Sequence, residues 1–348
     1  MKACQRAYQL PLFSMVTSWS LSVARLTDIR HQGFIPGRMS DHGKHGKKPR
    51  RRRGNLINHQ SEVVVVQLPP DLAAVVERVC ERWELTLSGE APRGDQNTIL
   101  VASRQGVPCV LKIAGQGHNA ITEAIALEAW NGNGAARLLE ADRDHGALLL
   151  ERLDPDRSLR TADLATAAEI AGTLIHELAV PAPAGLPLLT DIASQKPDIL
   201  RRRQSALGEP VPGRWIDIAC GMACDLAADP GSQLVHGDLH YDNILAGSRR
   251  PWLVIDPKPA TGNPEGSVAH LMWDRIPAPA ASRAGDDATQ PHDVRALFAT
   301  LTRTGMLHPD RARAWTIVQA VDYWLWGLAA GLTEVPQRCE RLLAALDP

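Results

Sequence analysis

Apolar residues are spaced in two different ways along this chain, and the change falls near residue 155. Before that point they come in short runs. TILVAS (98–103) and VPCVLKI (107–113), joined by the tight turn RQG (104–106), read as a β-hairpin entered through a polar, glycine-containing loop, GEAPRGDQN (89–97). The stretch ARLLEADRDHGALLLERLDPDRSL (136–159) gives two more strands around an Asp/His/Gly turn, then a charged break at Pro155. Two helices accompany these strands. VVVVQLPPDLAAVVERVCERW (63–83) is a short apolar run followed by an amphipathic helix, and AITEAIALEAW (120–130) keeps helical spacing until Gly132 and Gly134 end it.

After the break the spacing is helical. TADLATAAEIAGTLIHELA (161–179) is Ala-rich and amphipathic, a Pro-rich connector (182–189) follows, and RWIDIACGMACDLAA (214–228) runs to the breaker Asp229-Pro230-Gly231. RARAWTIVQAVDYWLWGLAAGLTE (311–334) is a further helix with Trp315, Trp324 and Trp326. The pattern divides the chain into a strand-rich part, 61–154, and a mainly helical part, 155–348, with a hinge between them. A chain of 348 residues is long enough to bury the core of one two-lobed unit or of two domains.

The first sixty residues read differently. They carry twelve Lys/Arg against two Asp/Glu, including the run GKHGKKPRRRRGN (43–55), which repels itself and has nothing to bury, so residues 1–60 are expected to be a basic, disordered extension. The segment 10–26 lacks a clean hydrophobic block and a small-residue cleavage site, which argues against a signal peptide. The remainder holds 38 − 12 = 26 basic and 39 − 2 = 37 acidic residues, a net charge of −11. An acidic body suits a cationic small molecule and argues against nucleic acid as partner, the tail at 43–55 apart. No run of eighteen apolar residues predicts a membrane span. Six scattered cysteines show no zinc spacing and suit the reducing cytoplasm; Cys220 and Cys224, one helical turn apart, are expected to be small core residues.

Chemistry concentrates in LVHGDLHYDNILAGSRRPWLVIDPKP (234–259). Asp238 and Asn243 sit five apart in a polar loop bounded by apolar runs, and Asp256 ends the run 252–255. That is the order and spacing of a phosphoryl-transfer site of the protein-kinase type. Asp238 is suited to accept the proton of an attacking hydroxyl, and Asn243 and Asp256 offer the hard oxygen ligands that Mg²⁺ prefers. His236 is read as a brace, and His240 as either a brace or a substrate contact. Upstream, Lys112 on the second hairpin strand is placed to neutralise ATP phosphates, with Glu123 and Glu128 on the next helix as candidate partners. The hinge backbone around Glu151 and Leu153 is expected to hydrogen-bond adenine. Asp322, among the tryptophans, is read either as core or as a contact for a cationic substrate, and Glu334 is a second acidic candidate.

Together VLKI (110–113), 122–139, ALLLERLDPDRSL (147–159), LVHGDLHYDNIL (234–245), WLVIDPKP (252–259) and HLMWDR (270–275) resemble the aminoglycoside/hydroxyurea phosphotransferase family, in its streptomycin 6-kinase branch. The resemblance implies an α+β, two-lobed, protein-kinase-like fold and ATP-dependent O-phosphorylation with Mg²⁺. It selects Glu123, seven residues before Trp130, as the partner of Lys112, with Asp238 as base and Asn243 and Asp256 as metal ligands. The chain departs from the family pattern at Asn263 and Ser267, the latter standing where an aspartate is expected to brace the catalytic loop; a neutral serine would hold it less firmly. The expected activity is phosphorylation of an aminoglycoside hydroxyl. The alternatives are another small hydroxylated metabolite, hydroxyurea, or a nucleotide-binding module with weakened catalysis.

Overall fold

The computed structural model describes residues 68–90, 97–115, 120–276 and 291–347. The basic run at 43–55 and most of the hairpin's entry loop lie outside the described residues. The chain enters through helix α1 (Pro70–Arg82) and builds a five-stranded antiparallel sheet from β1 (Leu85–Glu90), β2 (Asn97–Arg104), β3 (Val107–Ala114), β4 (Leu138–Asp142) and β5 (Ala147–Glu151), in the order β1-β2-β3-β5-β4. Helix α2 (Ala120–Trp130) lies between β3 and β4 in sequence. β1 is a strand that the pattern did not show: only Leu85 and Leu87 alternate before an irregularity between Leu87 and Gly89 breaks the register.

The pleat sorts the sheet residues between two cores. Leu100, Ala102, Cys109, Leu111, Ile113, Ala147 and Leu149 pack with Val76, Val79 and Trp83 of α1. Leu148 and Leu150 point the other way and join Ala124, Leu127 and Trp130 of α2 in the main core. Successive strand residues face opposite sides, and Lys112 pairs across the sheet with Leu148. Lys112 therefore projects towards α2.

The helical part contains α3 (Leu164–Leu178), α4 (Leu189–Ala206), α5 (Gly213–Ala227), α6 (Val268–Trp273), α7 (Pro291–Thr304), α8 (Pro309–Ala329) and α9 (Glu334–Ala345). Asp163 caps α3 by accepting from the Thr166 amide. Short strands carry the loops of interest: β6 (Asp154–Ser158), β8 (Ile244–Ala246) and β9 (Leu253–Val254) form one sheet, and β7 (Gln233–Val235) pairs with β10 (Ala260–Gly262). This is the expected α+β, two-lobed architecture; the charged break expected around Pro155 is instead strand β6, and helix begins at Leu164. The aromatic helix α8 buries Trp315 and Trp324 as expected of core. Cys220 is buried but Cys224 is exposed on α5, because the two positions, though one turn apart, straddle the edge of the buried face. Among the described residues no helix is long and apolar enough to cross a membrane.

The lobes are joined along residues 132–136. Val254 donates to Gly134 O and Ala136 to Val254 O, both at 2.9 Å. Arg249 reaches from the β8–β9 turn to Gly132 O, Ala135 O and the Glu151 carboxylate. Trp130, 1% exposed, donates from Nε1 to Leu178 O at 2.9 Å and stacks on His236, centroids 6.0 Å apart. One indole thus ties α2, α3 and the catalytic strand. Trp130→Ala is expected to destabilise the protein by about 3–5 kcal/mol in urea unfolding, the cost of a large buried cavity; a loss below about 1 kcal/mol would show that the indole is not a junction.

Candidate active site

The site forms where β3, α2, the 236–243 loop and the segment after β9 meet. Lys112 Nζ is 2.8 and 2.7 Å from the two Glu123 oxygens and also pairs with Asp256. Both lysine and glutamate are nearly fully buried, so this charge is committed to the site. Burial alone would lower the Lys112 pKa, but Asp256 and Glu123 outweigh it and raise it above the ordinary lysine value. Glu128, the other helical candidate, is instead paired on the surface with Arg143 at 2.6 Å.

Asp238 is 2% exposed. Its Oδ2 lies 2.7 Å from Lys258 Nζ and its Oδ1 3.2 Å from His270 Nδ1. Burial would raise its pKa, yet the Lys258 ammonium and the His270 contact hold it well below the usual carboxylate range, so it stays ionised. Asn243 gives its amide nitrogen to Asp238 O at 2.9 Å, so Oδ1 is the atom it has for a cation. Ile255 donates to Asn243 O at 2.9 Å, which sets Asp256 beside the loop. Asp256 adopts φ 55°, a left-handed conformation uncommon outside glycine that aspartate tolerates, pinned on one side by the Ile255 bond and on the other by Lys258 N donating to His236 O. Burial opposes its ionisation too, but Lys112 and Lys258 keep its pKa low.

His236 is the brace that the sequence suggests. Burial pushes its pKa down to about 4, so it is neutral at neutral pH. Its Nε2 donates to Ile255 O at 3.0 Å and its Nδ1 accepts from the Asp238 amide at 3.3 Å. Gly237, with φ 73°, lets the loop close: a Cβ there would lie 2.0 Å from Lys258 O.

The brace that the Ser267 departure seemed to remove is supplied by another residue. Asp274, 4% exposed, accepts the Tyr241 amide at 3.2 Å through Oδ2 and Arg160 Nη2 at 2.9 Å through Oδ1. Arg160 also holds Asp242 at 2.7 Å. His240, Asp242 and Asp274 come close enough together to suggest a cation pocket, but the guanidinium of Arg160 already occupies it. His240 is buried with Nδ1 unpartnered, near enough to Asp238 to lower its pKa. Ser267 is buried beside α6, and Asn263 donates to Asp229 O at 3.1 Å.

The remaining candidates fall elsewhere. Glu151 sits at the hinge, its amide engaged by Arg137 O and its carboxylate by Arg249. Leu153 lines a small apolar cluster with Ala136, Leu253, Leu245 and Ile255 at the lobe junction. Asp322 is buried between Lys196 and Arg203, each at 2.5 Å, so its charge ties α8 to α4. Any cationic substrate would first have to displace one of them. Glu334 is exposed at the start of α9 and pairs with Arg338 at 3.2 Å. Lys258, His270, Asp274 and Arg160 received no role from the sequence, although HLMWDR (270–275) was among the matching segments and two of them lie in it.

A two-lobed kinase-like fold that gathers a lysine–glutamate pair, a buried aspartate and the side-chain oxygens of Asn243 and Asp256 defines the class as phosphotransferases. Residues 82–331 match the model of the aminoglycoside/hydroxyurea antibiotic resistance kinase family, and the chain belongs to that family. It is 35% identical over 284 residues to the streptomycin 6-kinase of Streptomyces glaucescens, covering 80% of this chain and 86% of that one. It is also 35% identical over 304 residues to the hydroxyurea phosphotransferase of Kitasatospora aureofaciens, covering 83% and 85%. In fold it resembles a thermostable mutant of aminoglycoside phosphotransferase APH(4)-Ia in ternary complex with AMP-PNP and hygromycin B, with TM-score 0.54 at 14% identity, covering 78% of this chain and 97% of that one.

If Asp274 braces the loop, Asp274→Ala should lower kcat at least about tenfold with little change in the KM for ATP, since sub-ångström misplacement of a base is costly. Ser267→Ala should stay within about threefold. Steady-state kinetics of the two variants in parallel decide the point, and the reverse order of effects would return the brace to position 267.

Proposed function

We propose that this protein moves the γ-phosphoryl group of ATP to a hydroxyl of a streptomycin-like aminoglycoside and so inactivates the drug. The observation that carries the reading is the convergence of the buried Lys112–Glu123, Asp238 and Asn243 with Asp256 on one spot between the lobes. The residues fit the nucleotide. Ala136, Leu153, Leu245, Leu253 and Ile255 pack together beside the hinge, and an adenine ring would rest against that apolar cluster with its edge meeting the hinge backbone around Glu151–Leu153. Asn243 and Asp256 offer the oxygen donors that a magnesium ion accepts. Such an ion, when bound, neutralises phosphate charge.

The other parts belong to the chain. Lys112, locked by Glu123, holds the phosphates as a point charge. Asp238, kept ionised, accepts a hydrogen bond from the acceptor hydroxyl, aims its oxygen at phosphorus and takes up the proton as the bond forms. A carboxylate oxygen has room for a second hydrogen bond, so the contacts of Asp238 to Lys258 and His270 can persist. Next to Asp238 the rings of His270, Trp273, Tyr323 and Trp326 follow one another with centroids 4.9, 4.9 and 5.3 Å apart. An aromatic row beside the base suits the cationic groups of an aminoglycoside, as does the acidic body. Phosphorylation would add negative charge to a cation that acts by binding anionic RNA. The free cysteines among the described residues suit a reducing cytoplasm.

Purified protein should release ADP only when Mg²⁺ and streptomycin are both present. Asp238→Ala should lose about 10³-fold or more in kcat, as removal of an essential base does. A protein that turns over with hydroxyurea and with no aminoglycoside would replace the acceptor, and one that turns over with neither would sink the reading.

A further inference from the structure

Lys258 stands where protein kinases carry the glycine of their metal-binding motif, and no role for it follows from the kinase pattern. The structure gives it a specific place. Its Nζ lies 2.7 Å from Oδ2 of Asp238, and its side chain is only 16% exposed. The backbone fixes this position from both sides: Lys258 N donates to His236 O at 2.9 Å, and Lys258 O presses so closely on Gly237 that no side chain fits there. The ammonium is thus held against Asp238, the residue placed to take the acceptor's proton, two positions after Asp256.

We propose that Lys258 is a further catalytic residue, whose ammonium binds the equatorial oxygens of the phosphoryl group in flight while remaining paired with Asp238. The inference rests on the phosphotransferase reading above. In the step, the bond from the γ-phosphorus to the β–γ bridging oxygen breaks and ADP leaves with the electron pair. A bond from phosphorus to the acceptor oxygen forms, and the hydroxyl proton passes to Asp238. Lys258 neither gains nor loses a proton. It supplies positive charge beside the place where an oxygen hydrogen-bonded to Asp238 meets phosphorus, since Nζ and that oxygen each lie one hydrogen-bond length from the same carboxylate. Charge held ready where negative charge develops is the largest single contribution available to such a reaction. Lys112 cannot substitute, because it is committed to both Glu123 and Asp256.

The test compares wild type with Lys258→Met and Lys258→Arg. Both variants keep the backbone bond to His236 and the Gly237 contact, and methionine keeps most of the apolar stem, so the loop is retained. The first readout needs no acceptor: binding of ADP with Mg²⁺, alone and with aluminium fluoride, which mimics the planar phosphoryl group. Wild type should bind the fluoride complex more tightly than ADP alone. Lys258→Met should lose that preference by about 30-fold or more while its affinity for ADP stays within about threefold, and kcat should fall about 100-fold, as when one donor to a developing charge is removed. Lys258→Arg should recover part of both. A variant that keeps the preference for the fluoride complex overturns the proposal, as does one that loses ADP affinity and thermal stability in step, since that marks a structural lysine. If wild type shows the preference and Lys258→Met loses it, yet no aminoglycoside is phosphorylated, the acceptor reading fails and Lys258 keeps its role.

Discussion

Three carboxylates, the buried Glu123 and Asp238 and the part-exposed Asp256, meet in one small volume, and the site depends on the two lysines paired with them. Isolated charges in such a place would neutralise themselves by shifting their pKa. Lys112 from the sheet and Lys258 from the segment after β9 oppose this, and Lys112 also fixes where the lobes meet. Lys112 bridges them directly, reaching Glu123 in its own lobe and Asp256 in the other. Removing Lys112 would leave Glu123 buried without its partner, which costs far more than an exposed pair contributes, whereas Asp238 keeps its contact with His270 when Lys258 is replaced.

The rest of the structure holds that cluster in register. The β-period of two turns Lys112 away from the α1 core and towards α2, where Glu123 waits on a buried face. Trp130 and Arg249 fasten the lobes along 132–136, a stretch that the pattern marked only as the end of a helix. Asp274 and Arg160 then anchor the catalytic loop from below, through contacts more than thirty residues apart in sequence.

What was legible follows from that difference in range. The strand–helix division, the β2–β3 hairpin, Lys112, Asp238, Asn243 and Asp256 all rest on local spacing, and local spacing is what a sequence displays. Glu123 could be told from Glu128 only by the family pattern, since one helix carries both. The brace was misplaced for the same reason. A loop can be held by any donor or acceptor that folding brings near, so the neutral Ser267 suggested a weakness, while Asp274, distant in sequence, holds the Tyr241 amide. Asp322 among tryptophans was ambiguous because its partners, Lys196 and Arg203, lie on a distant helix. β1 was missed because two alternating leucines are too short a signal.

The central claim is that this buried charge cluster carries a phosphoryl group to a drug hydroxyl. It is tested most directly by ³¹P NMR and mass spectrometry of streptomycin recovered after incubation with the enzyme, Mg²⁺ and γ-labelled ATP. The account predicts a single phosphate monoester carrying the label, formed by wild type and absent with Asp238→Asn. Recovery of unmodified streptomycin beside labelled inorganic phosphate would contradict it.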